Sequence, residues 1–138
     1  MADRHGAGLL DTCVLIDLPQ LPEAALPAAS AISALSLAEL SAGLHTTKDP
    51  NERARRMARV QRIEASVAPL PFGADAARQY GVLVALTLAY GRNPRPRRLD
   101  LMVAATAVAH DLPLFTTNVG DFQGLEGAVK LVEVPPHG

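Results

Sequence analysis

Four carboxylates stand where an ionised side chain is expensive. Asp11 ends the apolar run Gly8-Leu9-Leu10, and Glu39 lies inside Leu37-Ala38-Glu39-Leu40. Asp100 precedes Leu101-Met102-Val103-Ala104-Ala105, and Asp121 follows the run at Leu114 and precedes Phe122. A charge near a core costs several kcal/mol or more unless it is paired, on the order set by desolvation. Of their immediate sequence neighbours, only Arg97 and Arg98 beside Asp100 are cationic. Clustered carboxylates without cations repel one another, and a hard divalent cation with oxygen ligands, Mg²⁺ or Mn²⁺, resolves that repulsion. Thr12, Thr116 and Asn118 have short polar side chains suited to orienting such carboxylates or their waters. Each residue also has a plainer use alone: Asp100 as a helix cap, Asp121 or Asn118 in an Asx-turn, Glu39 in a capping box, Asp11 as a strand end.

The elements around them decide whether the four meet. Gly8–Leu10 reads as a short buried strand, followed by an apolar stretch from Cys13 that reads as a short helix and stops near Pro19. Residues 19–29 read as a loop with a helical piece, and Ala31–Ser33 as a weak second strand. Ser36 is expected to cap the next helix, with Glu39 three residues on. Asp49-Pro50 opens a helix to about Ala65. Val67–Leu70 reads as a third strand, at an edge or ending because of Pro69. A long helix runs from about Ala74 to Tyr90, with Gly91 as its stop. Residues 92–98 form a Pro/Arg loop. Asp100 opens a helix through His110, Leu114–Thr116 is a strand, Asn118–Asp121 a turn, and Lys130–Val134 a last strand. Alternating strands and helices predict a single α/β domain over residues 1–138, with a mostly parallel sheet covered on both faces. In such a fold the carboxyl ends of the strands form one crevice. Asp11 and Asp121 follow strands, Glu39 lies soon after one and Asp100 begins a helix, so all four are expected at that end.

Composition narrows the classes. The 138 residues are 49% hydrophobic and 20% charged, which suits one globular domain and excludes a disordered chain. The longest run free of Asp, Glu, Lys and Arg, Ala24 to Ala38, contains Pro27 and three serines, so no membrane helix is expected. The start, with Asp3, Arg4 and His5, does not resemble an export leader. A lone cysteine, Cys13, fits a reducing cytoplasm. Four scattered histidines (His5, His45, His110 and His137) make a structural zinc site improbable. Aromatic residues at 4%, with no Trp, disfavour a base-stacking platform. The net charge of −1 hides two basic stretches, Arg53, Arg55, Arg56, Arg59 and Arg62, and then Arg92, Arg95, Arg97 and Arg98.

Four segments, in this order and spacing, resemble the PIN-domain family, and more narrowly its VapC-type ribonuclease toxins. They are Leu9-Leu10-Asp11-Thr12, Ser36-Leu37-Ala38-Glu39-Leu40, Asp100-Leu101-Met102-Val103-Ala104-Ala105-Thr106-Ala107 and Thr116-Thr117-Asn118-Val119-Gly120-Asp121-Phe122. The resemblance spans residue 9 to about 134. It departs mildly at Cys13 and Gly120. It implies an α/β/α sandwich, a Mg²⁺- or Mn²⁺-dependent endoribonuclease, a homodimer and inhibition by a VapB-type antitoxin. It carries an acidic quartet onto Asp11, Glu39, Asp100 and Asp121, and polar helpers onto Thr116 and Asn118. In phosphodiester hydrolysis the cation acidifies a water and neutralises phosphate oxygens. Asp11, Asp100 and Asp121 are then expected as direct or water-bridged metal ligands, and Glu39 as a ligand or as the group that positions the water. An acidic site does not attract RNA, so Arg92, Arg95, Arg97 and Arg98 are expected to supply a cationic rim. Arg55, Arg59 and Arg62 share a helix face suited to solvent, RNA or the antitoxin. The apolar second half of the 74–90 helix points to a homodimer. The competing reading is a non-catalytic RNA- or protein-binding module with a structural metal, for which four retained acids are superfluous. A phosphoacceptor receiver domain would need a Lys after the last strand, and Lys130 precedes it.

Overall fold

Leu9 and Leu10 point to opposite faces of one sheet and so divide the core in two. The computed structural model describes residues 6–136. The expectations for Asp3-Arg4-His5 and for His137 lie outside those residues. Four parallel strands form the sheet: β1 (Ala7–Leu10), β2 (Ala29–Ala31), β3 (Leu114–Thr116) and β4 (Leu131–Glu133), in the order β2-β1-β3-β4. Leu9, Leu114 and Leu131 face one side, with α4 (Ala74–Ala89) and α5 (Arg98–Ala109) packed over them through Leu83, Leu101, Ala104 and Ala105. Leu10, Phe115 and Val132 face the other, under α1 (Thr12–Asp17), α2 (Ala34–Gly43) and α3 (Pro50–Ser66), which contribute Val14, Leu15, Leu40, Val60 and Ile63. The result is the three-layer α/β/α sandwich expected from the alternating elements. Each fully buried Leu stabilises it by roughly 1.5–3 kcal/mol. Gly8 is required on β1, since a Cβ there would collide with the Phe115 ring.

Several boundaries match their chemical signals. The Asp49 side chain accepts from Asn51 N at 3.0 Å, and Pro50 starts α3. Gly91, at φ +89°, takes the left-handed turn after α4. Four boundaries need correction. The second strand, expected at Ala31–Ser33, is Ala29–Ala31. Ser33, not Ser36, caps α2: its backbone is extended and its hydroxyl accepts from Leu35 N at 3.0 Å. The expected strand at 67–70 reduces to one bridge, Ser33 with Leu70. Pro69 and Pro71 flank Leu70 and have no N–H, so a ladder does not propagate. The 92–98 segment is not all loop. A 3₁₀ turn at Arg95–Arg97 runs into α5, which starts at Arg98, so Asp100 lies inside the first helical turn and caps nothing.

Candidate active site

The chain order makes the site. From β1 it winds out to β2, then returns to lay β3 on the other side of β1, so the sheet's switch point lies between β1 and β3. Loops leaving the carboxyl ends of those two strands diverge and open a crevice. Asp11 directly follows β1 and Thr116 ends β3. Asp11 is only 5% exposed, yet its carboxylate is well supplied with donors. Thr12 N donates to Oδ1 at 2.9 Å, the Thr116 hydroxyl to Oδ2 at 2.9 Å, and the Cys13 thiol to Oδ2 at 3.6 Å. Burial nevertheless raises its pKa, which these bonds only partly offset, and the charge of Asp121 pushes the same way.

Asp100 reaches the crevice from the first turn of α5. Its carboxyl is pushed up to about 6, first by burial and then by the charges of Asp11, Asp121 and Glu39; Arg97 opposes the shift. The four acids predicted from the sequence therefore act on one another in space. Glu39, on α2, accepts from the Thr12 hydroxyl at 2.7 Å. Asp121 lies in a 3₁₀ turn, Val119–Phe122, with Oδ1 3.5 Å from Arg97 Nη1. Thr116 is fully buried and also accepts from Asn118 N at 3.1 Å. Asn118 thus joins the network through its backbone, and its side chain is exposed. Among the described residues, no three Asp, Glu, Cys or His side chains already stand as a closed set of direct metal ligands. The donor chemistry still fits Mg²⁺, which binds through one or two carboxylates and keeps several waters.

The arginine rim divides. Arg92 Nη1 donates to Gly120 O at 2.9 Å, and Arg97 pairs with Asp121, so both fasten the 92–98 segment to the Asp121 turn. Arg95 and Arg98 are exposed.

Residues 8–126 match the family model of the PIN domain. The chain belongs to the PIN-domain family. This PIN-domain protein is 36% identical to Ribonuclease VapC5 of Mycobacterium tuberculosis over 134 residues, which cover 95% of this chain and 96% of the relative. It is 29% identical to Ribonuclease VapC1 of Rickettsia felis over 96 residues, 70% of each chain. A crystal structure of VapBC-5 from M. tuberculosis, a member of the VapBC family of toxin–antitoxin systems, superposes with a TM-score of 0.80 at 35% identity. That match covers 94% of this chain and 98% of the other. VapBC-1 of nontypeable Haemophilus influenzae shares the fold, with a TM-score of 0.73 at 21% identity over 92% of this chain and 97% of the other. No helix among the described residues is long and apolar enough to cross a membrane.

Two residues of this PIN domain escape a reading from sequence. Cys13, which reads as a small core residue, touches Asp11. Ser36, which reads as a cap, is fully buried and meets the hydroxyl of Thr12 at 2.8 Å. The signal for Ser36 was its spacing, one helical turn before Glu39 on the same face.

Proposed function

We propose that this chain is a Mg²⁺- or Mn²⁺-dependent endoribonuclease, the toxin of a toxin–antitoxin pair held in check by a VapB-type antitoxin. Its 138 residues act as one domain, in the cytoplasm. The observation that carries the reading is that Asp100, pushed up to about 6 first by burial, is raised further by the charges of Asp11, Asp121 and Glu39. The identity to a ribonuclease VapC over nearly the whole chain, and the match to a VapBC toxin–antitoxin structure, support the reaction and the partner.

Asp11, Asp100 and Asp121 would hold the cation, directly or through waters, and Glu39 would add a ligand or position the attacking water. The chemistry supplied by Mg²⁺ or Mn²⁺ bound there is acidification of a water and neutralisation of the scissile phosphate's oxygens. Thr116 and the Thr12 amide fix the Asp11 carboxylate against rotation. Asn118 supports Thr116 through its backbone N–H. Arg95 and Arg98 attract the RNA backbone, and Arg92 and Arg97 lend charge to the same rim while holding the Asp121 turn.

The test is cleavage of RNA by purified protein with Mg²⁺ or Mn²⁺. Asp100→Asn removes one charge at nearly constant shape. It should abolish cleavage, while the metal-free variant melts as high as wild type or higher. Because Asp100 caps nothing, a purely structural Asp100 would tolerate Asn and cleavage would persist. Full activity in that variant, or in wild type with excess EDTA, would sink the reading.

The protein acts as a homodimer through the outer face of α4. Val82 and Leu88 there are 49% and 59% exposed, and Ala85 and Ala89 are exposed beside them. A second copy burying this stripe would remove the apolar surface from water. Light scattering of Val82→Asp/Leu88→Asp should give half the mass of wild type; equal masses would reject this interface.

A further inference from the structure

Three hydroxyls are buried within helices of the described structure, and one of them is used unlike the others. Thr87 in α4 donates to Leu83 O at 2.7 Å, and Thr106 in α5 donates to Met102 O at 2.9 Å. Both take the usual route for a buried helical hydroxyl, back to the carbonyl one turn earlier. Ser36 in α2 is equally buried but does not. The corresponding carbonyl, Ile32 O, accepts instead from Leu70 N at 2.8 Å. The Ser36 hydroxyl lies 2.8 Å from Thr12 Oγ1, 24 residues away in sequence. It is not needed as a cap, because Ser33 caps α2.

Counting protons gives this contact a direction. Thr12 Oγ1 lies 2.7 Å from Glu39 Oε1. An ionised carboxylate only accepts, so the single Thr12 proton goes to Glu39. Ser36 must then donate to Thr12. The chain runs Ser36 to Thr12 to Glu39, leaving α2, crossing to the start of α1 and returning to α2 one turn later. Thr12 also donates its backbone N–H to Asp11 at 2.9 Å, so the same residue holds two of the four acids.

We infer that Ser36 is a positioning residue of the acid cluster, which fixes the carboxylate of Glu39 through the hydroxyl of Thr12. This rests on reading the cluster as the metal and reaction centre. Glu39 has a long side chain with three torsions and, among the described residues, accepts no other hydrogen bond. Oriented by a Thr12 hydroxyl that is itself locked, it keeps one oxygen engaged and offers the other to a cation or a water. Without Ser36, Thr12 can rotate, and Glu39 loses its fixed orientation while keeping its charge.

The test uses Ser36→Ala and Thr12→Val, each made in the wild-type chain and in Glu39→Ala. RNA cleavage is followed as kcat and KM, and Mn²⁺ affinity is measured separately by calorimetry. Partners that orient metal-binding carboxylates typically contribute about 10- to 100-fold to activity or affinity. Both single variants should lose about tenfold or more in kcat and in Mn²⁺ affinity, with KM for RNA within about twofold of wild type. In the Glu39→Ala background neither should weaken Mn²⁺ binding further, because residues that act through one another are not additive. Equal losses with and without Glu39, or unchanged Mn²⁺ affinity in both single variants, would overturn the role of Ser36. Wild-type protein that binds Mn²⁺ without cleaving RNA would count against the nuclease alone, and the affinity arm would still decide on Ser36. Wild-type protein that binds no Mn²⁺ would overturn both.

Discussion

The arginines of α3 and those of the 92–98 segment make two basic stretches, but the fold employs them differently. On α3, Arg53 donates to Leu44 O at 3.0 Å and to Thr47 O at 2.9 Å, while Arg56 donates to Gly43 O at 2.7 Å and to Thr46 Oγ1 at 3.0 Å. These guanidinium groups donate to acceptors at and just beyond the end of α2, near its negative pole. Arg55 pairs with Glu52 at 3.0 Å. Arg59 and Arg62 instead rim an apolar cavity of about 200 Å³ lined by Leu10, Leu15 and Ile32. In the 92–98 segment, Arg92 and Arg97 hold the Asp121 turn, and Arg95 and Arg98 are exposed. Charge density alone does not separate a fastening arginine from a rim arginine. The acceptors each one finds do.

The largest effect that would sharpen this contrast concerns the rim. Neutralising Arg95 and Arg98 together should weaken RNA binding by roughly 10- to 100-fold at low salt, and flatten the log–log salt dependence by about 0.7 for each phosphate no longer neutralised. Melting should not change. An unaltered salt slope would make these two idle, and the two stretches would no longer differ.

A smaller effect belongs to α3. Arg53→Ala with Arg56→Ala should lower stability by about 1–2 kcal/mol, since charged hydrogen bonds at the end of α2 are removed. RNA affinity should hold, as measured by the same binding assay. If affinity fell as far as in the rim variant, the α3 arginines would be part of the substrate path.

A further effect is a pH slope. In the folded protein Asp100 keeps its proton to about 6, against 3.8 ordinarily. Between those values the folded state binds more protons than the unfolded one, so metal-free stability falls as pH rises through that window. Melting temperatures across it should show this decline in wild type and lose much of it in Asp100→Asn. Added Mg²⁺ should raise melting most at the upper end, where the acids are charged. A flat wild-type profile would mean that the acids do not crowd one another.

Much of the fold and site is legible in the sequence, for physical reasons that differ by residue. Asp49-Pro50 and Gly91 are local signals, satisfied within a turn of chain, and each places a helix end correctly. The four acids stand out because an apolar flank penalises a charge wherever the chain goes, and alternating strands and helices tell which end they share. Ser33 and Ser36 are both plausible caps by spacing; what separates them is the extended backbone that the Leu70 bridge imposes on Ser33. The start of α5 is hidden because prolines at 94 and 96 read as loop, though they also suit a 3₁₀ turn. Arginine partners are illegible, since carbonyls six to 28 residues away decide them.

The bridge at Leu70 also bears on how copies of this chain can meet. Ala29 N donates toward β1, to Gly6 O, whereas Ile32 O and Ala34 N turn the opposite way, to Leu70. Leu70 therefore sits on the outer margin of the sheet, beyond β2. An open margin is a template on which a strand from another molecule can add, and repeated addition leads to fibrils. Here the last pairing position is occupied by a residue with proline on both sides, which offers no onward row of donors. That margin resists strand addition at its carboxyl end.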